Sequence, residues 1–280
     1  RCIYEACRVA QHNGAKLIQY RHEDLSDLEE KLAKSPIEKT KIITIDGVYS
    51  LSADLADLPG YVRLAKKYNA TIYVDDAHSF GILGENPTAN KPYGYKGNGI
   101  VNHFGLRFAE DNIIYVAALS KAYSSYAAFI TCPDREFKNK LRHVWTSGYS
   151  GPSPVASLAT ALAGLKVNHQ EGEQLREKLY HLTRKLVTQA RSIGFEVENH
   201  NYVPLFSVII GEVANVVDVC QLLWEYNILI TPAVFPAVPL NRSSLRFSIT
   251  AANTEEEVDR AIEALAAAWD LLQKRSFRKA

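Results

Sequence analysis

Short apolar, β-branched runs alternate with helix-like segments over the first 130 residues, and nothing else in the sequence restricts the fold as much. KIITIDGVYS (41–50), TIYVDDAH (71–78), NIIYVAALSK (112–121) and AAFITC (127–132) read as strands, as does AKLIQY (15–20). Helical segments lie between them: CIYEACRVAQH (2–12), closed by Asn13-Gly14, then SDLEEKLAK (26–34) and LPGYVRLAKKYNA (58–70). Ser26 followed by Glu29 has capping-box spacing, so the second helix is expected to take Ser26 as its N-cap. Strand and helix repeating in units of about thirty residues predict parallel βαβ connections and a sheet covered on both faces.

After residue 153 the texture changes. PVASLATALAGLKV reads as an Ala/Leu-rich helix, followed by a long amphipathic one, EGEQLREKLYHLTRKLVTQARSIG, closed at Gly194. FEVEN, PLFSVIIG and SLRFSITA then read as strands, with helices at VVDVCQLLWEYN and TEEEVDRAIEALAAAWDLLQKR. The organisation expected is a large α/β domain over residues 1–169 and a smaller α+β domain over residues 170–280.

Composition excludes several classes. The 280 residues are 47% apolar and 22% charged, with a net charge of +1, which leaves no electrostatic footprint for nucleic acid or an anionic membrane. No apolar run reaches the length of a membrane span, and the first residues do not read as a signal peptide. Cys2, Cys7, Cys132 and Cys220 are scattered without metal-ligand spacing, which fits buried thiols in a reducing cytoplasm and no metal site. Methionine is absent.

The chemistry gathers at strand ends. TIYVDDAHSFG (71–81) ends an apolar run in two carboxylates, a histidine and a serine, and IIYVAALSK delivers Lys121 to the end of another. In an open parallel sheet the carboxyl ends of the strands are where ligands bind. The plain readings are a solvated strand-to-loop junction at Asp76 and a snorkelling lysine at Lys121. Its apolar approach predicts that Lys121 is buried, where an ammonium loses its preference for the charged form and suits imine chemistry. Taken together, the groups suit pyridoxal phosphate. That cofactor needs a lysine for its aldehyde, a carboxylate for its ring nitrogen, and donors for its phenolic oxygen and phosphate. Asp75, His78, Ser120 and Lys121 are residues of those types.

VYS (48–50), VDDAHSFGILGE (74–85), NGIVNHFGL (98–106), ALSKAY (118–123) and LRFSITAANT (245–254), in this order, resemble the fold-type-I pyridoxal-phosphate enzymes. Within them the chain resembles the α-oxoamine synthases, a family that includes serine palmitoyltransferase, aminooxononanoate synthase and glycine C-acetyltransferase. The resemblance implies that the cofactor is pyridoxal 5'-phosphate and that the substrates are an amino acid and an acyl-CoA. They would be condensed with loss of CO2 and CoA to an α-aminoketone. It implies that Asp75 pairs with the ring nitrogen, His78 donates to the phenolic oxygen, and Ser50 contacts the same part of the cofactor. Lys121 would carry the cofactor and move the α-proton, while Arg246 binds the amino acid's carboxylate through its bidentate fork. It also implies a homodimer, with the loop at 146–154 reaching the partner's cofactor pocket. The apolar stretch ITPAVFPAVPLNRSS (230–244) favours a long acyl chain.

The chain departs from the family pattern in several places. Ala118 stands where a phosphate-binding threonine is usual, leaving Ser120 as the hydroxyl beside Lys121. SSYAAF (124–129) replaces a glycine-rich stretch, and Asn253 replaces a histidine. In WTSGYSGPSP (145–154), Thr146 and Ser150 are the candidates for the residue lent to a partner subunit. The family's phosphate-binding turn and ring-stacking residue fall in an N-terminal part that precedes Arg1 and is absent here. An aminotransferase on the same fold and a non-catalytic partner subunit remain the alternatives. His103 and His143 read as satisfied histidines, Trp224 and Trp269 as core, and the LREKLYHLTRKL charges as a solvated helix face.

Overall fold

The computed structural model describes residues 2–279, which fall into two compact units: Arg1–Val48 with Ala56–Gly172, and Tyr49–Leu55 with Glu173–Ala280.

In the first unit, α1 (Cys2–His12) and α2 (Leu25–Ala33) precede β1 (Ile42–Asp46), α3 (Leu58–Lys67) and β2 (Thr71–Asp75). A single turn, α4 (Ile100–His103), leads into β3 (Ile113–Ala118), which is followed by β4 (Ala128–Thr131), α5 (Arg135–Arg142) and α6 (Trp145–Gly148). The long α7 (Val155–Ile193) begins in this unit and ends in the second. The sheet order is β1-β2-β3-β4, with β1, β2 and β3 parallel and β4 antiparallel to β3. Only residues 119–127 separate β3 from β4, and Leu119 N–H already bonds Ala127 O at 2.8 Å. A link that short cannot make a crossover, so the parallel pattern stops there. Alternate residues of β1 and β2 fill the core: Ile43, Ile45, Ile72 and Val74 are buried, beside Ile113, Tyr115 and Tyr61. Each large apolar side chain so buried contributes on the order of 2 kcal/mol.

Three local expectations change. Residues 15–20 form no strand, because no neighbouring strand supplies a ladder; Tyr20 instead donates its hydroxyl to Tyr61 at 3.3 Å. The cap of α2 is Asp24, whose carboxylate accepts from Asp27 N–H, two residues ahead of Ser26. Asp24 wins because its carboxylate is charged beside the helix's positive end. Glu29 leaves the cap altogether and pairs with Lys67 at 2.6 Å. Finally, the two helices expected after residue 153 are one continuous helix of 39 residues. Gly164 and Gly172 interrupt the apolar pattern without ending the hydrogen-bond ladder, since an isolated interior glycine costs only about 1 kcal/mol.

The second unit holds β5 (Glu196–Val197), β6 (Leu205–Gly211), α8 (Val213–Glu225), β7 (Thr231–Ala233), β8 (Ser243–Ser248) and α9 (Glu255–Lys279). Its sheet runs β5-β6-β8-β7 and is antiparallel throughout. Phe206 stacks on Phe247 at 5.4 Å, and Leu182, Leu186, Val219, Leu223 and Leu265 are fully buried. Trp269 packs edge-on against Phe195 at 5.0 Å. Trp224 does not join the core: it is 66% exposed, outside the stripe of α8 that buries Val216, Val219 and Leu223. No helix among the described residues is long and apolar enough to cross a membrane.

Candidate active site

In the first unit the parallel strands end in polar residues. Asp75 closes β2, and its Oδ1 accepts from Ala77 N–H at 3.1 Å, which turns the chain sharply out of the strand. Asp75 remains half-exposed, as does His78 in the loop that follows. Asp76 turns the other way and is fully buried, as the alternation of a strand requires. Its carboxylate accepts from the Ser79 hydroxyl, from the Tyr115 hydroxyl at 2.6 Å and from Ile100 N–H at 3.0 Å. A Cβ at Gly99 would collide with Tyr115 Oη and with Asp76 itself, so only glycine admits the backbone this close. Burial pushes the Asp76 carboxyl up to about 6 despite those donors, and burial with the neighbouring Asp76 charge raises the Tyr115 hydroxyl well above its ordinary value. Asp76 is therefore an anchor for the loop, and Asp75 is the carboxylate left free to meet a ligand.

Ser120 and Lys121 sit in the turn after β3, at the same end of the sheet. The loop bearing His78 packs directly on this turn. Gly81, at φ +91°, lies so near it that an added Cβ would stand 2.5 Å from Ala122 Cβ. The Phe80 ring meets Tyr123 at 5.4 Å, and Leu119, Tyr123 and Ala161 form a small buried cluster beneath. The carboxylate, imidazole, hydroxyl and amine thus come from two adjacent strand ends. Contrary to the expectation of burial, Lys121 is exposed. The apolar run before it is buried as far as Leu119, but the chain has left the sheet by Ser120 and carries the lysine into solvent.

The remaining two candidates belong to the second unit. Arg246, on β8, donates from Nε to Ser50 O at 2.9 Å, and burial lowers its guanidinium from the ordinary value. Among the described residues no other group bonds this guanidinium, so its two terminal amino groups can act as a fork. Ser50 thus meets Arg246 through its backbone carbonyl.

Other conspicuous residues are accounted for locally. His103 Nδ1 lies 3.2 Å from Gly84 O, with burial lowering its pKa, and His143 Nδ1 lies 2.7 Å from Asn139 O. Cys7, Cys132 and Cys220 are unpaired and part-buried; the Cys2 side chain lies outside the described residues. No group of His, Cys, Asp or Glu among the described residues could hold a metal ion. Sequence reasoning overlooked Asp46 and Tyr115. Asp46 carried a usable signal, since it ends β1 as Asp75 ends β2; Tyr115, inside an apolar strand, carried none.

The donor set at the first unit's sheet end matches what pyridoxal phosphate requires in kind. Comparison with known proteins agrees. A profile of aminotransferase class I and II matches residues 5–265. The chain is 34% identical over 256 residues to a serine palmitoyltransferase of Bacteroides ovatus, covering 91% of this chain and 61% of that one. It is 32% identical over 264 residues to an 8-amino-7-oxononanoate synthase of Thermoanaerobacter pseudethanolicus, covering 94% and 62%. Among solved structures, Sphingomonas wittichii serine palmitoyltransferase superposes with a TM-score of 0.82 at 26% identity, over 92% of this chain and 62% of that one. A serine palmitoyltransferase solved with PLP gives 0.84 at 25% identity, over 97% and 64%. The chain spans about three-fifths of the length of the curated relatives it matches. Its fold is that of the fold-type-I pyridoxal-phosphate enzymes, a mostly parallel sheet flanked by helices, and the chain belongs to the aminotransferase class I and II family.

Proposed function

We propose that this protein is a pyridoxal-phosphate-dependent α-oxoamine synthase that condenses an amino acid with an acyl-CoA, releasing CO2 and CoA and leaving an α-aminoketone. The observation that carries this reading is the packing of the Asp75–His78 loop on the Ser120–Lys121 turn, fixed at Gly81 and Ala122. When bound, the cofactor supplies an electron sink for the pair left at the amino acid's α-carbon. Asp75 holds the proton on the ring nitrogen, His78 donates to the phenolic oxygen, and Ser120 offers a hydroxyl to the phosphate. Lys121 presents the amine for the cofactor's aldehyde and afterwards moves the α-proton, while exposure on its open turn lets it swing between the two tasks. Arg246, steadied by Ser50 O, grips the substrate carboxylate with its terminal amino groups.

On the same reading the protein is a cytoplasmic homodimer of two-domain chains, with a division near residue 170. Unpaired thiols at Cys7, Cys132 and Cys220 support a reducing compartment. Exposed apolar side chains at Val144, Trp145, Tyr149, Val155 and Leu162 support a partner surface along the 146–154 loop and the start of α7.

Borohydride reduction of the full chain with pyridoxal phosphate should place a pyridoxyl group on Lys121, and a separate, unreduced sample of the loaded chain should release a free thiol from an acyl-CoA when an amino acid is added. A label on a different lysine refutes the site. Transfer of the amino group to a 2-oxoacid without thiol release refutes the reaction in favour of an aminotransferase.

A further inference from the structure

Asp46 and Asp75 are register partners across β1 and β2, and both occupy the last position of their strands. Neighbouring strands lie about 4.8 Å apart, and in-register residues of a parallel pair project to the same face. The two carboxylates therefore stand side by side at the carboxyl end of the sheet. Ile43, Ile45, Ile72 and Val74 occupy the opposite, buried face.

Among the described residues, nothing donates a hydrogen bond to the Asp46 side chain, whereas Asp75 receives Ala77 N–H. Among the described residues the groups facing Asp46 are Asp75, Tyr73 from β2, and His22 from the segment between α1 and α2. From α1, Cys7 Sγ reaches the same face at 3.9 Å from Thr44 Oγ1. Burial, followed by the charge of Asp75, pushes the Asp46 carboxyl up to about 6. A half-buried carboxylate set against a like charge, with His22 as its cationic neighbour among the described residues, is stabilised further when a second cation sits nearby.

We propose that Asp46 is a positioning residue, which acts through Asp75 to hold the proton on the ring nitrogen of the bound cofactor. The proposal rests on the pyridoxal-phosphate reading above. The ring cation touches Asp75 and faces a pair of carboxylates rather than one. The second negative charge beside Asp75 makes the ring nitrogen's proton harder to lose, by on the order of one pK unit or more. The electron sink is thereby kept in its cationic form over a wider pH range.

The test has two arms on the full chain. Without cofactor, carboxyl carbon NMR of selectively labelled aspartate should show Asp46 titrating about one unit lower once Asp75→Asn removes its neighbour's charge. With pyridoxal phosphate labelled with 15N at the ring nitrogen, Asp46→Asn should lower the ring-nitrogen pKa by about one unit, and Asp46→Glu should restore most of it. A residue that only supported the fold would move neither quantity. An Asp46 titration indifferent to Asp75→Asn, or normal cofactor uptake with an unmoved ring pKa in Asp46→Asn, overturns this proposal alone. A wild-type chain whose carboxyls are coupled but which takes up no cofactor overturns the cofactor reading, and this proposal with it.

Discussion

Two segments leave the same end of the first unit's sheet, and they are finished to very different degrees. The loop after β2 is closed on itself. Asp76, Ser79 and Leu83 are buried, and backbone bonds tie Gly81 N–H to Gly97 O and Gly99 N–H to Leu83 O, each at 2.8 Å. The segment after β3 tucks in Leu119, Tyr123 and Ser125, whose hydroxyl bonds Ser157 O at 2.6 Å, and then opens. Lys121 is exposed there, and Trp145 and Tyr149 are 78% and 82% exposed. The difference teaches where the site's geometry originates. The carboxylate and imidazole are placed by the chain's own buried network. The amine and the apolar residues beyond it stand on an exposed surface, which would suit the partner proposed above.

The closed loop breaks most easily at Asp76. Asp76→Ala would leave the Ser79 and Tyr115 hydroxyls and Ile100 N–H without their acceptor, at a cost of about 3 kcal/mol. Asp76→Asn should be mild, since its oxygen can serve Tyr115 and Ile100 while its amide donates to Ser79. The pH dependence has a definite sign. A carboxyl raised to about 6 on folding binds its proton more tightly in the folded state. Its contribution is therefore complete below about pH 4 and is lost as pH rises to 6, by roughly 3 kcal/mol. Urea unfolding at several pH values should show Asp76→Asn flattening that decline. If Asp76→Ala stayed within 1 kcal/mol of wild type, the loop would not depend on this network.

What the sequence disclosed follows the same division. Strands β1, β2 and β3 could be read because a strand buried on one or both faces is written in consecutive β-branched residues, and Asp75, His78 and Lys121 could be read because they interrupt such runs. The strand expected at 15–20 failed for the opposite reason: its residues suit a ladder, but pairing depends on a neighbour that local sequence does not encode. The antiparallel turn of β4 was hidden in the length of a link rather than in residue type. Lys121 was misjudged as buried because the apolar run before it ends two residues short of it. Asp24 displaced Ser26 as a cap although both are good capping residues, because the Asp24 carboxylate is charged beside the helix's positive end. Asp46 was visible in the same pattern as Asp75, but its meaning depends on strand register.

The seam between the two segments offers a smaller break. Gly81→Ala must both adopt φ +91° and place a methyl 2.5 Å from Ala122 Cβ, which has no flexible end to yield. About 2 kcal/mol of stability should be lost. Gly105→Ala is the matched control, with φ +65° and nothing within 4 Å of the added carbon, so it carries the backbone strain alone, about 1 kcal/mol. Thermal or urea unfolding of the two variants isolates the packing of the His78 loop on the Lys121 turn as their difference. Equal losses would mean that the loop and the turn do not bear on each other.

The smallest effect on the fold is expected on the open segment, and it is the more telling for being small. Trp145 stacks on Tyr149 with centroids 5.8 Å apart, yet both rings face outward from their short helix. Trp145→Ser should therefore change the unfolding free energy of the dilute chain by less than about 0.5 kcal/mol, as for other exposed positions. Its effect should lie in association. An aromatic anchor in an interface core is worth about 2 kcal/mol or more, so sedimentation at low micromolar concentration should show wild type self-associating and the variant shifted toward monomer. A loss of several kcal/mol that does not change on dilution would mean that the Trp145 ring is core within its own chain. The open segment would then be as self-supporting as the loop after β2, and the contrast between them would disappear.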